Sequence, residues 1–206
     1  MKKILILILS IIVLSVTLNA QEEKKERTFG YFNRTEAGVG FGLGKFKTDR
    51  FDGIQKRVKN DEIIISFNTI NGITYKGRVG LGIGIGVEKW QHGLFFPLFG
   101  QLYYDVKPKA NTFFGSLSLG SAIGKRDSTS FFHQGDGGFM IQIGIGYKMK
   151  VFKRLRFYYE VFYKYQAIHS SYRITTSTDS IPLISNPIDY KVPLHFLGFR
   201  IGISFY

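Results

Sequence analysis

Between Arg78 and Trp90 the chain reads RVGLGIGIGVEKW, a large aliphatic side chain at every second position and mostly glycine between. Val79, Leu81, Ile83, Ile85 and Val87 make one face; Gly80, Gly82, Gly84 and Gly86, extended by Arg78 and Glu88, make the other. A period of two belongs to an extended strand, whose successive side chains leave opposite faces of a sheet. A helix would scatter these residues around its circumference and carry its interior glycines at about 1 kcal/mol each. The glycines follow GxGxGxG rather than GxGxxG, with no helical pattern after them, which sets aside a nucleotide-binding loop.

The bare face decides what kind of sheet this is. A half-buried soluble strand turns Lys, Glu or Thr to water opposite its apolar face. Glycine instead suits a crowded concave surface where long side chains or other backbones pass close. Small residues inside and branched aliphatics outside fit a narrow transmembrane β-barrel whose outer wall meets lipid. A soluble barrel with these faces would leave its aliphatic side wet and would not stay in solution.

The rest of the chain fits one such domain of 206 residues. Residues 1–20 read as a secretory signal peptide. Lys2 and Lys3 lead an apolar run from Ile4 to Leu18, with cleavage expected after Ala20; the competing reading is an uncleaved anchor. Residues 21–30 form a charged periplasmic lead opening with QEEKKERT, and residues 31–206 form the barrel. After residue 20 no stretch approaches the ~20 apolar residues of a membrane helix. An exported chain whose membrane-like segments all alternate points to the outer membrane of a Gram-negative cell. There are no cysteines, so disulfides and thiolate metal sites are excluded. The net charge of +13 is spread over loops and strand faces rather than gathered on one helix. That argues against nucleic acid and for anionic lipid headgroups or lipopolysaccharide phosphates.

Alternation predicts eight antiparallel strands: Tyr31–Lys45, Glu62–Ile73, Arg78–Trp90, Phe96–Val106, Thr112–Gly124, Phe139–Met149, Leu155–His169 and a last one ending at Phe205. Phe46–Asp61, Lys125–Gly138 and Ser170–Tyr190 read as polar loops. The first, third and seventh connections, the third being Gln91–Phe95, read as long or fairly long, while those near Tyr75, Pro108 and Lys153 are short. Short periplasmic turns, longer outer loops and an even strand number belong to bacterial outer-membrane barrels. Eight strands leave an interior that side chains can fill, which disfavours a passive pore. Aromatic residues near strand ends suggest interfacial girdles. On the periplasmic side they are Tyr31, Tyr103, Tyr104, Phe113, Phe114, Phe152 and Phe157; on the outer side Trp90, Phe95, Phe96, Phe131, Phe132 and Tyr172.

The segments RVGLGIGIGVEKW, GGFMIQIGIGYKMK and LGFRIGISFY resemble the outer-membrane-protein β-barrel domain family, within the OmpA/OmpX-like barrel superfamily. The resemblance spans about residues 30–206 and implies an outer-membrane barrel. It says little of activity, since such barrels include adhesins, anchors and stress proteins. It also implies recognition by the barrel assembly machinery through an outward-phase terminal Phe; Phe205 holds that phase here, and Tyr206 follows it.

Two sets of residues are candidates for function. His169 and Ser171 form an H-x-S pair in the outward phase of the seventh strand, with His195 outward on the eighth. The pair resembles the lipid A 3-O-deacylases, in which a His activates a Ser nucleophile toward the outer leaflet. The residues that flank that Ser in the deacylases are absent, and no outward Glu stands where it would orient the His. His92 and His133 have no ligand spacing, and Asp127 with Asp136 makes no calcium motif, so neither metal nor cofactor is expected. The second set faces inward: Arg34, Glu36, Arg78, Glu88, Asp105, Lys148, Arg156, Glu160, Lys164 and Arg200. Charges inside a narrow barrel must pair, so an interior network is expected rather than an active site. If His169 faces Lys191 across the last outer loop, antiparallel register sets Glu160 opposite Arg200. The expectation is a non-enzymatic outer-membrane barrel, the lipid A hydrolase being the alternative. Its outer loops would contact lipopolysaccharide, host surfaces or another envelope protein.

Overall fold

The computed structural model describes residues 28–49, 55–107, 111–126, 135–172, 175–178, 181–184 and 188–206. The signal peptide and most of the lead lie outside the described residues, as do Asp127, Phe131, Phe132 and His133. The chain forms strands β1 (Phe29–Leu43), β2 (Lys45–Asp49), β3 (Gln55–Lys59), β4 (Ile63–Tyr75), β5 (Val79–Trp90), β6 (Gly93–Asp105) and β7 (Thr112–Arg126). They are followed by β8 (Gly135–Asp136), β9 (Phe139–Lys150), β10 (Leu155–Tyr172), β11 (Thr175–Thr178), β12 (Ile181–Ile184) and β13 (Ile188–Phe205).

Eight of these close a ring. Each long strand pairs antiparallel with the next, in the order β1, β4, β5, β6, β7, β9, β10 and β13, and β13 pairs back onto β1. Closure leaves no unpaired edge, which a barrel needs where no water can satisfy the backbone. The alternation read from the sequence is the alternation observed. Along β6 every residue from Gly93 to Asp105 switches between buried and exposed. The outward aliphatics are bare, with Ile83 at 68% exposure and Ile123 and Ile145 at 71%. Such a wall is stable only against lipid.

The glycine face is explained by what lies across from it. A Cβ at Gly80 would strike the Tyr103 ring, one at Gly84 the Phe99 ring, and those at Gly198 and Gly202 the rings of Phe162 and Tyr158. Inward aromatics of one strand therefore occupy the room that glycine leaves on its neighbour. The turn Tyr75–Arg78 is the tight kind that suits a twisted hairpin, with Lys76 at φ 49° and Gly77 at φ 60°.

Several expected boundaries shift. Phe46–Asp61 is largely a hairpin, β2 on β3, rather than a loop. The third connection is only Gln91 and His92, because Trp90 pairs with Gly93. Strands β10 and β13 run on past the membrane-like core, with His169 paired to Lys191 and Tyr172 to Ile188, and β11 and β12 form a small hairpin within the expected last loop. Residues 125, 126, 135 and 136 extend the outer rim by pairing β7 with β8 and β8 with β10. Polar sequence does not prevent pairing once a hairpin has set the register.

The girdle assignment divides by strand phase. Tyr31, Tyr104, Phe96, Phe113 and Phe152 are exposed on the outside. Trp90, Phe95, Tyr103 and Phe114 are not in a girdle: all four are buried in the lumen. Trp90 and Phe95 join Ile64, Ile168, Val192, Leu194, Phe196 and Phe46 in an apolar plug at the outer end. Phe32, Ile70, Phe99, Tyr103 and Met140 form a second cluster, with Tyr206 packed against it.

Candidate functional site

The lumen charges form a stack of layers. In the outermost, Lys164 Nζ on β10 lies 2.5 Å from Glu88 Oε1 on β5, and Trp90 Nε1 donates to Glu88 Oε2 at 3.3 Å. This ties the charged interior to the apolar plug above it.

The middle layer is the densest. Glu160 and Arg200 stand directly opposite on β10 and β13, in the register that His169 opposite Lys191 demands. Arg200 donates from Nη2 to Glu160 Oε1 at 2.8 Å and from Nε to Glu160 Oε2 at 3.1 Å, a two-point contact. Its Nη1 reaches across to Glu36 Oε1 on β1 at 2.5 Å. Arg200 has room for this because its partner on β1 is Gly38, and Glu160 presses against Gly144 of β9. Ser116 donates to Glu160, Asn68 Nδ2 donates to Glu36 at 3.2 Å, and Tyr158 Oη donates to Glu36 Oε2 at 2.7 Å.

Arg34 completes this layer. Its Nη2 lies 3.7 Å from Glu160 Oε2, and its Nη1 donates to Gln101 Oε1 at 3.2 Å. The guanidinium also sits between three rings, 4.2 Å from the centroid of Tyr158, 4.9 Å from Phe114 and 5.3 Å from Tyr103. Cation–ring attraction strengthens when water is excluded. The inward aromatics that looked interfacial in the sequence are thus part of the charge network.

The lowest layer is Asp105 on β6 with Lys148 on β9, 2.6 Å apart. Lys148 also donates to Tyr206 Oη at 2.7 Å, and Arg156 lies 4.2 Å from the Tyr206 ring and 3.9 Å from Asp105. Arg78, inward in phase, does not join. It is placed at the turn, where Nη2 donates to the Val106 carbonyl at 2.8 Å and to Tyr104 Oη at 3.3 Å. Gln101, Ser118, Asn68 and Ser116 extend the middle layer and were not singled out in the sequence; their shared parity with the charges is the signal that identifies them.

The second candidate set is not brought together. His169 is exposed opposite Lys191, whereas His195 stands opposite Tyr165. Four residues of strand separate them, about 13 Å. His195 Nδ1 is held 2.6 Å from Tyr163 Oη, and the two rings stack. The Ser171 side chain lies outside the described residues. Among the described residues no group of three or more His, Cys, Asp or Glu side chains is placed to hold a metal ion.

No family model matches the chain, and no curated protein does. Solved structures do. The outer membrane protein OprG from Pseudomonas aeruginosa overlays with a TM-score of 0.55 at 11% identity, covering 85% of this chain and 95% of that one. The fold is that of the small outer-membrane β-barrels. The outer membrane protein AlkL, determined in DMPC lipid bilayers, overlays at 0.50 with 12% identity over 90% of this chain and 93% of that one. Neisserial surface protein A covers 85% of this chain and 99% of that one at 10% identity, with a lower score of 0.47.

Proposed function

We propose that this chain is a non-enzymatic, non-conducting integral outer-membrane barrel whose task is to hold its outer hairpins at the cell surface. The observation that supports this reading is the filled lumen. Glu36, Glu88, Asp105 and Glu160 are each ion-paired and buried, and apolar clusters lie along the same axis. An interior closed at several levels offers no continuous path for ions. The outer ends are built up well beyond the ring, through β2 with β3 and β11 with β12. Those hairpins are the surfaces for lipopolysaccharide, a host surface or another envelope protein. During biogenesis the outward Phe205 at the end of β13 is the residue offered to the barrel assembly machinery.

Planar-bilayer recording of the purified protein tests the closed lumen, the expected result being no stable open channel. A persistent conductance would overturn it. Lipid A mass spectrometry with and without the protein tests the hydrolase alternative, and the expected result is an unchanged set of acyl chains.

A further inference from the structure

The two ends of the barrel differ in where their acids lie. Glu22, Glu23 and Glu26 belong to the lead, where Lys24, Lys25 and Arg27 balance them. Glu36, Glu88, Asp105 and Glu160 are spent inside the lumen, and every other Asp or Glu falls in an outer connection or, as Asp189 does, at the outer end of a strand. The three turns at the opposite end, 75–78, 106–111 and 150–154, contain no acid at all. They contain cations instead. Lys76, Lys107, Lys150 and Lys153 are exposed, and Arg78 and Arg154 add charge at the same end. Arg78 ties the first turn to the second through Val106 O and Tyr104 Oη, so the charges sit on one joined rim.

Just inside this rim runs an outward aromatic belt. Phe29 packs on Tyr75 with ring centroids 5.3 Å apart, Phe113 packs on Tyr147 at 4.9 Å, and Tyr104 lies between them in the ring. In the third turn Val151 and Phe152, exposed at 51% and 67%, stand between Lys150 and Lys153. Apolar tips among lysines, just beyond an aromatic belt, match the level at which acyl chains give way to headgroups. Short turns place this end on the periplasmic side.

We infer that the periplasmic rim is a binding surface for the anionic headgroups of inner-leaflet phospholipid, phosphatidylglycerol being the chemistry it fits. The inference goes beyond the anchoring role and rests only on the barrel's spanning the membrane. A row of lysines over an anionic surface draws phosphates by charge, and the attraction is lost when salt shortens the screening length to a few ångströms. Val151 and Phe152 hold the third turn at headgroup depth, which an acidic soluble partner would not require.

Native mass spectrometry of the full-length folded protein in detergent, offered phosphatidylglycerol and phosphatidylcholine of matched chains, tests this. The wild type is expected to retain phosphatidylglycerol over phosphatidylcholine by roughly tenfold at low salt, the preference vanishing near 1 M salt. Neutralising Lys107→Gln, Lys150→Gln and Lys153→Gln together should cut the ratio at least about threefold, and Lys→Arg at the same positions should keep it. An outer-end control, Lys89→Gln with Lys125→Gln and Lys191→Gln, removes equal charge and should leave the ratio unchanged. Equal retention of the two lipids by the wild type overturns the inference and leaves an acidic protein as what the rim fits. An equal loss in the outer-end control overturns it too. Because conductance is not the readout, failure here is separate from failure of the closed-lumen reading.

Discussion

The middle of the lumen and its outer end solve the same problem in opposite ways. At the middle, Glu36, Arg34, Glu160 and Arg200 fill the bore with charge, each group held by partners from several strands. At the outer end, Trp90, Phe95 and Phe196 fill it with rings, Trp90 lying 4.7 Å from Phe95 and 5.0 Å from Phe196 between centroids. Apolar packing tolerates small shifts, because dispersion has no direction and a ring can slide. A buried charge does not tolerate them, since losing its partner leaves it stranded in low dielectric. The middle layer therefore sets the register, and the outer plug sets the fill.

The largest effect is expected where that contrast is attacked directly. Glu160→Ala takes away the two-point partner of Arg200, leaving it Glu36 alone, and removes a partner of Arg34; breaking a buried pair in this way typically costs about 3–5 kcal/mol. A clear fall in the denaturant midpoint checks this. The double variant with Arg200→Ala should cost less than the sum of the singles, and strict additivity would mean the groups act independently. Trp90→Ala comes next. It opens the plug at a cost of about 3–5 kcal/mol if the surroundings cannot collapse, and less if they can. Its double variant with Phe95→Ala should show a smaller coupling than the charged pair, which is how the two regions are told apart.

A smaller effect separates the inner from the outer wall. Gly84→Leu drives a side chain into the Phe99 ring and should cost typically 1–3 kcal/mol. Ile83→Val, one residue away on the lipid face, should be milder because lipid adapts to the missing methylene. If the two variants assemble equally well, the faces are reversed. The smallest effect is none: His169→Ala and Ser171→Ala should leave lipid A unchanged, and loss of a deacylated species in either would restore the hydrolase reading.

Much of this fold is legible in the sequence, for a physical reason. Alternation is a local property with only two phases, so Gly80 through Glu88 and the matching runs in β9 and β13 declare their faces without knowledge of the fold. The register of β10 and β13 rested on one assumption, His169 against Lys191; the structure has that pairing, and with it Glu160 against Arg200. The aromatics failed where nearness to a strand end was weighed above parity. Trp90 has the parity of Gly86 and Glu88, and Tyr103 that of Gln101 and Asp105, and parity is what holds. The outer hairpins failed for another reason. Segments such as Lys45–Asp49 and Gln55–Lys59 carry one apolar residue each, Phe46 and Val58, too few to mark a period, although the two pair and pack onto the outer plug. In the candidate sites, charge and parity picked out the inward set, Arg78 excepted, and one pair, Glu160 with Arg200, but the rings around Arg34 depend on three strands at once.

The contact between Glu36 and Arg200 has a consequence for how the ring shuts. Glu36 lies on the first strand and Arg200 on the last, 164 residues apart in the chain. Until those two strands meet, Arg200 can pair with Glu160 on the neighbouring β10 but not with Glu36, which stands at the far edge of the sheet. A seam offset by one residue would turn one strand's charges outward into hydrocarbon, where a cation at the midplane costs about 2–4 kcal/mol. The pair therefore works as a keyed latch: it lets the cylinder zip shut in one alignment and rejects its neighbours.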